Sequence, residues 1–298
     1  MEMRIPLIET IQARQADLPR KLEITIYVIA IVFSFLVLTY AAYVLLPVHE
    51  NANPPITWGW GVDWKGTIRP GSLDLIAGHT PYTSVIRCLP PWVYLAVSPV
   101  AVLPPEVGTA GIFVLTYLVY SFVLYRLKAK PWVILAFLCN SFTLMNAKNG
   151  NVDFLAVLGF ILPPQIGLFF VLIKPQIGIG ITVYWLVEAW KKGKFLEVFR
   201  VFAPVTIAYL ISFLFYGFWP LKIVGITKDV YNAGLWPVGI IIGLVLMVKS
   251  LRDKNPLYAM GASPFLAPYV NFTSYALVLL PFIANGALML IAVALSWR

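Results

Sequence analysis

One aspartate stands alone in a loop that is rich in glycine and tryptophan. Asp63 lies in Trp58-Gly59-Trp60-Gly61-Val62-Asp63-Trp64, and its nearest acidic neighbours are Glu50 and Asp74. A carboxylate held away from other acids can take a proton from a hydroxyl group and so act as a general base. A carboxylate in an exposed loop is also commonly no more than a solvated charge. The residues alone leave both interpretations of Asp63 open.

A lysine interrupts one of the most apolar stretches of the chain. Lys174 lies in Val171-Leu172-Ile173-Lys174-Pro175-Gln176-Ile177. Lysine at the centre of a membrane helix costs about 2.5 to 3.5 kcal/mol on insertion scales, so an intramembrane cation is a candidate functional group. Pro175 predicts a helix break directly after it. Lys174 either extends its ammonium group to the membrane surface or holds an anionic lipid headgroup.

Further polar groups accompany these two residues. The segment 146–153 is dense in hydrogen-bonding side chains, although its Asn-Gly dipeptide is also common in ordinary turns. Other cations are candidates to join Lys174 in binding phosphate, because arginine in particular offers bidentate geometry. Each is explained equally well as a charge at the lipid headgroups. These cations are Arg69, Arg87 and Lys148.

The composition indicates what kind of scaffold must position these groups. The 298 residues are 60% hydrophobic and 12% charged, with a mean hydropathy of +0.83. Soluble domains carry about 25% charged residues, so the chain is predicted to be a polytopic membrane protein. Cys88 and Cys139, with His49 and His79, lack the spacing of a disulfide framework or a metal site. No metal and no cofactor are therefore predicted.

The net charge of +9 does not indicate nucleic acid as a partner. The basic residues form short clusters between apolar runs, which is typical of the cytoplasmic loops of membrane proteins. The clusters are Arg14, Arg20 and Lys21; Arg126, Lys128 and Lys130; Lys191, Lys192, Lys194 and Arg200; and Lys249, Arg252 and Lys254.

A helix needs about 20 apolar residues to cross the hydrocarbon core, and this length predicts about eight transmembrane helices in one all-α domain over residues 1–298. The 23 prolines and 20 glycines predict broken helices. Two short apolar runs, 91–103 and 152–162, are predicted to be re-entrant or interfacial. The predicted spans are 22–46, 108–125, 201–219 and 272–297, and, less regularly, 131–145, 166–190, 236–248 and 256–270.

The basic clusters also predict the orientation of the chain. With residues 1–21 in the cytoplasm, the loop 47–90 that carries Asp63 is external, and the polar turn 146–153 faces the same side. Both termini are then cytoplasmic, in a multi-pass protein of the cell membrane. The tryptophans of the external loop are expected to anchor it at the depth of the headgroups. They are Trp58, Trp60 and Trp64.

Short motifs, taken in order, resemble the GT-C superfamily of membrane glycosyltransferases, and most of all its bacterial branch of polyprenyl-phosphate-sugar-dependent enzymes, which includes the mycobacterial mannosyltransferases. That branch carries an early external aspartate, Gly-x-x-Pro-Tyr, Tyr-Pro-Pro, a Leu-Pro helix end, Gly-Gln-x-Asn, Lys-Pro, and later Ser-Pro, aromatic residues and Leu-Pro. The corresponding residues here are Asp63, Gly78-His79-Thr80-Pro81-Tyr82, Leu89-Pro90-Pro91, Leu103-Pro104, Gly150-Asn151-Val152-Asp153, Lys174-Pro175, Ser263-Pro264, Tyr269, Tyr275 and Leu280-Pro281.

The resemblance implies an inverting, metal-independent transfer of a sugar from a polyprenyl-phosphate donor to a lipid or glycan acceptor on the external face. Asp63 would be the general base. The donor phosphate would be bound by Lys174, Arg69, Arg87 and Lys148. The substrate would also contact Trp64, Tyr82, Asn149, Asn151 and Tyr269. Membrane lipids, and membrane-protein partners, complete the expected interactions.

Two other functions stay open. Leu89 stands where the family has tyrosine, and Asn151 and Asp153 replace its glutamine and asparagine. A fold does not guarantee its usual activity, so the chain could instead be a non-catalytic accessory or scaffold subunit of a membrane assembly. A transporter or flippase is the third candidate, although the internal repeats on which many transporters are built are not visible in the sequence.

Overall fold

The computed structural model describes residues 20–49, 59–84, 87, 89–221 and 232–298. Most of the predicted cytoplasmic segment, together with Trp58 and Cys88, lies outside the described residues. Within these ranges the chain is helical and contains no strand, which confirms the all-α prediction. The helices are α1 (Arg20–Leu45), a π-helical turn (Trp64–Ile68) that leads into α2 (Arg69–Ile76), α3 (Pro91–Ala96), α4 (Ser98–Ala101), α5 (Pro105–Arg126), α6 (Pro131–Leu138), α7 (Ser141–Asn149), α8 (Asp153–Gly159), α9 (Pro164–Val171), α10 (Pro175–Tyr216), α11 (Gly239–Asp253), α12 (Pro256–Leu266), a 3-10 helix (Phe272–Ala284) and α13 (Gly286–Ser296).

Proline and asparagine determine where many of these helices begin. Proline is the first residue of α3, α5, α6, α9, α10 and α12, a position at which its missing N–H costs nothing. Asparagine side chains accept a backbone N–H at the start of other segments and so cap them. Asn140 caps α7, Asn271 caps the 3-10 helix and Asn285 caps α13. The predicted interruption of the helices is thereby confirmed.

Three helices among the described residues are long and apolar enough to cross a membrane: α1, α5 and α10. The apolar side chains of α1 are mostly exposed, as expected for a helix surrounded by lipid rather than water. α5 is more deeply buried and packs against α1 and α8, so it forms the centre of the bundle. These helices support membrane association, while the total of about eight spans stays a prediction.

The long helix α10 is folded back on itself. Its backbone leaves the helical conformation at Gly193 and Lys194, inside a predicted basic turn. The hydroxyl of Tyr209 donates to the carbonyl oxygen of Leu172 at 2.8 Å. In a straight helix these residues would lie about 55 Å apart, so the chain must reverse between them. Residues 175–192 and 195–216 therefore form the two arms of a hairpin, each close to the ~20 residues that a span requires.

The last predicted span, 272–297, is wrong as a continuous helix. The chain forms the 3-10 helix up to Ala284, turns at Asn285, and continues as α13. Pro281 lies inside the first part and removes a backbone donor there. The run 131–145 is similarly divided, because Asn140 ends α6 and caps α7. Both runs are apolar enough to span, but their turn residues interrupt them.

Candidate functional site

The loop that carries Asp63 is fixed to the rest of the protein on both sides of the aspartate. The N–H of Gly61 donates to the carbonyl oxygen of Lys148 at 2.8 Å, which ties the loop to the end of α7. Gly61 has φ +71, and a Cβ there would lie 2.5 Å from the hydroxyl oxygen of Thr109. Trp64 is fully buried. Asp63 therefore begins the π-helical turn from a fixed backbone position.

Two glycines make room for the Trp64 side chain. A Cβ at Gly108 of α5 would lie 2.6 Å from the indole nitrogen, and a Cβ at Gly150 would lie 2.6 Å from the Cβ of Trp64. Gly150 also has φ +69, a left-handed conformation that suits glycine, and it ends α7. Trp64 is thus held between α5, which faces its indole, and the turn that joins α7 to α8, which faces its Cβ, so this turn is brought beside Asp63.

A chain of polar side chains starts at Asp63 and runs into the protein. Its Oδ2 accepts a hydrogen bond from the Asn151 amide at 3.0 Å. The ammonium group of Lys174 donates to the amide oxygen of Asn151 and to Oδ1 of Asp153, the latter at 2.6 Å. The amide of Asn146 donates to Oδ2 of Asp153 at 2.8 Å. Residues from four separate segments are therefore joined in one network.

Asn151 is held in a single orientation by this network. Its amide oxygen accepts from Lys174 and also from the backbone N–H of Val152 at 2.7 Å. With two donors on the oxygen, the amide nitrogen must be the group that faces Asp63. The asparagine thus presents a donor to one carboxylate oxygen of Asp63.

The two charged residues Asp153 and Lys174 both lie at the N-terminal ends of helices, where the helix dipole affects them in opposite ways. Asp153 is the first residue of α8, where the helix dipole favours a negative charge. Lys174 directly precedes the first residue of α10, where the dipole disfavours a positive charge. Asp153 is almost fully buried and Lys174 is 15% exposed. Asp153 therefore compensates the ammonium charge at close range.

The surroundings of Asp63 change its acidity. Burial raises the pKa of this carboxyl from 3.8 to about 6, and the negative charge of Asp153 acts in the same direction. The charge of Lys174 and the hydrogen bond from Asn151 oppose the increase in pKa. Desolvation is the largest of these effects, so Asp63 is a weaker acid and a stronger base than an ordinary aspartate.

The other predicted phosphate ligands lie outside this network. The guanidinium of Arg69 donates to the carbonyl oxygen of Leu103 at 3.2 Å. Arg87 forms an ion pair with Asp74. Lys148 is partly buried, and its backbone carbonyl holds the Asp63 loop. Of these three cations, Lys148 is the one whose backbone is hydrogen-bonded to that loop.

Some of the residues predicted to contact substrate lie in or next to this network, and the others lie elsewhere. Asn151 lies in the network, and Trp64 is buried directly after Asp63 in the chain. Tyr82 is buried, donates its hydroxyl to the Leu89 carbonyl at 2.9 Å, and stacks on Trp219 with ring centroids 5.2 Å apart. Asn149 is partly exposed at the end of α7, and Tyr269 is partly buried just before the 3-10 helix.

Sequence reasoning did not identify Asp153 or Asn146 as members of the site. Asp153 appeared only as a member of a polar turn and as a departure from the family pattern. A signal was present, because ionisable residues inside apolar segments usually pair with one another. Lys174 and Asp153 are the members of such a pair.

Comparisons with protein-family models, with curated proteins and with solved structures found no match to this chain. The resemblance to the GT-C superfamily therefore rests on the sequence motifs and stays a prediction. In the part of the chain that the structure describes, no cluster of three or more His, Cys, Asp or Glu residues is suited to hold a metal ion.

Proposed function

We propose that the protein is a membrane glycosyltransferase that moves a sugar from a polyprenyl-phosphate donor to a lipid or glycan acceptor, with Asp63 as the general base. The proposal includes a GT-C-like bundle of about eight spans, in which the Asp63 loop is external. Nucleotide sugars are cytoplasmic, so an external site requires a lipid-linked donor. The observation that carries the proposal is the position and acidity of Asp63.

Three properties of Asp63 favour the role of a base. Its backbone is fixed between α5 and the α7–α8 turn, and its Oδ2 is held by Asn151. Its pKa of about 6 lies close to neutral pH, where a base is both ionised and strong enough to accept a proton. Because Asn151 holds one oxygen, the other can accept the proton of an incoming hydroxyl.

The donor phosphate requires more positive charge than Lys174 supplies. With Asp63 ionised, the two aspartates and Lys174 carry a net negative charge, which would repel a phosphate. The proposal therefore assigns further neutralisation to Lys148, whose backbone adjoins the loop, and to Arg69 and Arg87. Each arginine would exchange its present partner, the Leu103 carbonyl or Asp74, for phosphate oxygens.

The test is transfer of radiolabelled sugar from polyprenyl-phosphate donors by purified protein in lipid vesicles. Asp63→Asn keeps the shape and the hydrogen-bond acceptor but removes the base, so transfer should fall by about 100-fold or more. Asp253→Asn is the matched control, because it makes the same change at an exposed aspartate at the end of α11. Equal transfer by Asp63→Asn and wild type, with both well folded, would remove Asp63 as the base.

A second function is favoured by the mutual pairing inside the network. Asp63, Asn151, Lys174 and Asp153 are hydrogen-bonded to one another, as expected of a structural element. A non-catalytic accessory subunit would carry such a network without using it. That function predicts co-purification with specific membrane proteins and tolerance of Asp63→Asn in the assembled complex. No transfer from any donor by the folded wild type would favour it.

A further inference from the structure

The fold of α10 brings a cluster of cations to the reversal point of its hairpin. Lys191 and Lys192 end the first arm, and Lys194 lies at the break with φ +52. The lysines at 191 and 192 are 53% and 73% exposed. The ammonium of Lys194 lies over the ring of Trp190 at 5.6 Å from its centroid. The break thus presents three lysines and an interfacial tryptophan together.

An apolar groove of about 410 Å³ begins directly after this break. Its lining residues recur at the spacing of one helix face, so the groove runs along the second arm of the hairpin. Small side chains at Ala203 and Thr206 form a depression between larger neighbours. The lining residues are Phe195, Val198, Phe199, Phe202, Ala203, Thr206, Ile207 and Leu210.

The groove is long enough to hold a lipid chain. From Phe195 to Leu210 the helix rises by about 22 Å, which is more than the ~15 Å of hydrocarbon in one leaflet. The cations lie at one end of this distance and the apolar lining fills the rest. A molecule that binds both the cations and the groove must have a charged headgroup and a long apolar chain that lies along the second arm.

The charge at the break is positive after its own acids are included. Glu188 contacts Lys191 at 3.0 Å, and Glu197 contacts Lys192 at 2.8 Å and Arg200 at 3.9 Å. Two acids thus face four bases, and the excess positive charge lies at the end of the second arm where the groove begins with Phe195. Basic groups at the end of membrane helices attract anionic headgroups.

We propose that the hairpin break and its groove form a binding site for an anionic phospholipid. The phosphate contacts Lys191, Lys192 and Lys194, and one acyl chain lies in the groove along the second arm. The excess positive charge selects this occupant, because neither a neutral lipid nor an uncharged protein helix gains from it. The site does not rest on the proposed glycosyl transfer, since it uses none of the residues around Asp63.

Native mass spectrometry of the full chain in detergent tests the proposal directly, because it resolves bound lipid and protein dimers by mass. The probes are phosphatidylglycerol and phosphatidylcholine with identical acyl chains. We expect phosphatidylglycerol to bind about ten-fold more tightly than phosphatidylcholine. Equal affinities would overturn the proposal, and so would a dimer that forms in place of the lipid adduct.

Charge removal has a matched control in the same chain. Replacing Lys191, Lys192 and Lys194 with glutamine should remove most of the preference for phosphatidylglycerol. The same three-charge change at Arg126, Lys128 and Lys130, in the turn after α5, should leave that preference in place. If both triple variants lose it equally, net charge rather than this site binds the lipid.

The groove is tested separately from the charges. Ala203→Phe fills the depression without changing any charge, and it lies on a partly exposed face where the larger ring can be accommodated. We expect it to weaken binding of phosphatidylglycerol by about ten-fold through loss of apolar contact. Unchanged affinity would show that the chain does not lie in the groove. Inorganic phosphate competing as strongly as the lipid would also contradict the proposal.

Discussion

Lys174 and Lys192 each contact an acid at close range, at 2.6 Å from Asp153 and 2.8 Å from Glu197, but their surroundings differ. Lys174 is 15% exposed and its aspartate is almost fully buried, whereas Lys192 is 73% exposed. Water surrounds the ammonium of Lys192, whereas it reaches little of Lys174 and almost none of Asp153. Similar contact distances therefore serve different purposes: the buried pair is required by the fold, while the exposed lysine stays available to another anion.

The strongest test of this difference is removal of the buried carboxylate. Asp153→Asn removes the carboxylate that the ammonium of Lys174 contacts at 2.6 Å inside the protein, so we expect the free energy of unfolding to fall by about 3 to 5 kcal/mol. Thermal unfolding in detergent measures it. A second change, Lys174→Met, should restore part of the loss by removing the buried cation that Asp153 no longer balances. No recovery in that double variant would contradict the proposed coupling.

A change in the packing around Trp64 should have the next largest effect on stability. Gly150→Ala places a methyl group 2.6 Å from the Cβ of Trp64 in a left-handed backbone, and we expect a loss of about 2 to 4 kcal/mol. Gly78→Ala is the control, because Gly78 has φ +78 but a Cβ there contacts nothing within 4 Å. It should cost only about 1 kcal/mol, the backbone part alone. Equal shifts in Tm would show that Trp64 is not confined.

The acidity of Asp63 predicts a dependence of stability on pH. Its folded pKa of about 6 is raised above the ordinary value of 3.8, so the native state binds this proton more tightly than the unfolded state. The contribution of Asp63 to the free energy of unfolding is therefore greatest below pH 4. It decreases as the pH rises through about 6, by up to about 3 kcal/mol and by less where solvent screens the charge.

Asp63→Asn should remove this part of the pH dependence and make the protein more stable than wild type at pH 7. Unfolding temperatures of both proteins between pH 4 and 8 measure the effect. The same titration predicts that glycosyl transfer by the wild type rises as pH increases through about 6. Parallel stability curves for the two proteins would contradict the raised pKa.

Removal of the ion pair at Lys192 should change the thermal stability very little. Glu197→Gln removes the acid beside Lys192 and Arg200, yet water solvates both cations, so we expect little or no change in Tm. The variant should instead strengthen binding of anionic lipid at the hairpin break, since it leaves more positive charge there. A loss of stability as large as that of Asp153→Asn would abolish the distinction between the two lysines.

Local patterns predicted the parts of this molecule that depend on local chemistry. The apolar runs predicted α1, α5 and the second arm of α10 to within a few residues, because length and apolar composition determine such helices. Pro175 predicted the break after Lys174 for an equally local reason. Asp63 and Lys174 were conspicuous because each is a charge in unusual surroundings.

The partners of these charges were not predictable in the same way. Asp153 and Lys174 are separated by 21 positions and two helices, and Asp63 and Asn151 by 88 positions. The packing of α5, α8 and α10 brings them together, and no local pattern encodes it. The stacking of Tyr82 on Trp219 was equally invisible to local patterns, and its substrate contact stays a prediction from the motif.

The enclosure of Trp64 by two glycines links distant positions of the chain. Gly108 lies in α5 and Gly150 in a turn, yet both contact Trp64, the residue that directly follows Asp63: Gly108 faces the indole ring and Gly150 faces the Cβ. In related sequences the volumes at positions 64 and 108 should therefore vary together, a larger residue at 108 occurring with a smaller side chain at 64. Position 150 should instead stay glycine, because a Cβ there meets the Cβ at 64 that all residues except glycine carry, and the aspartate at 63 should keep its place.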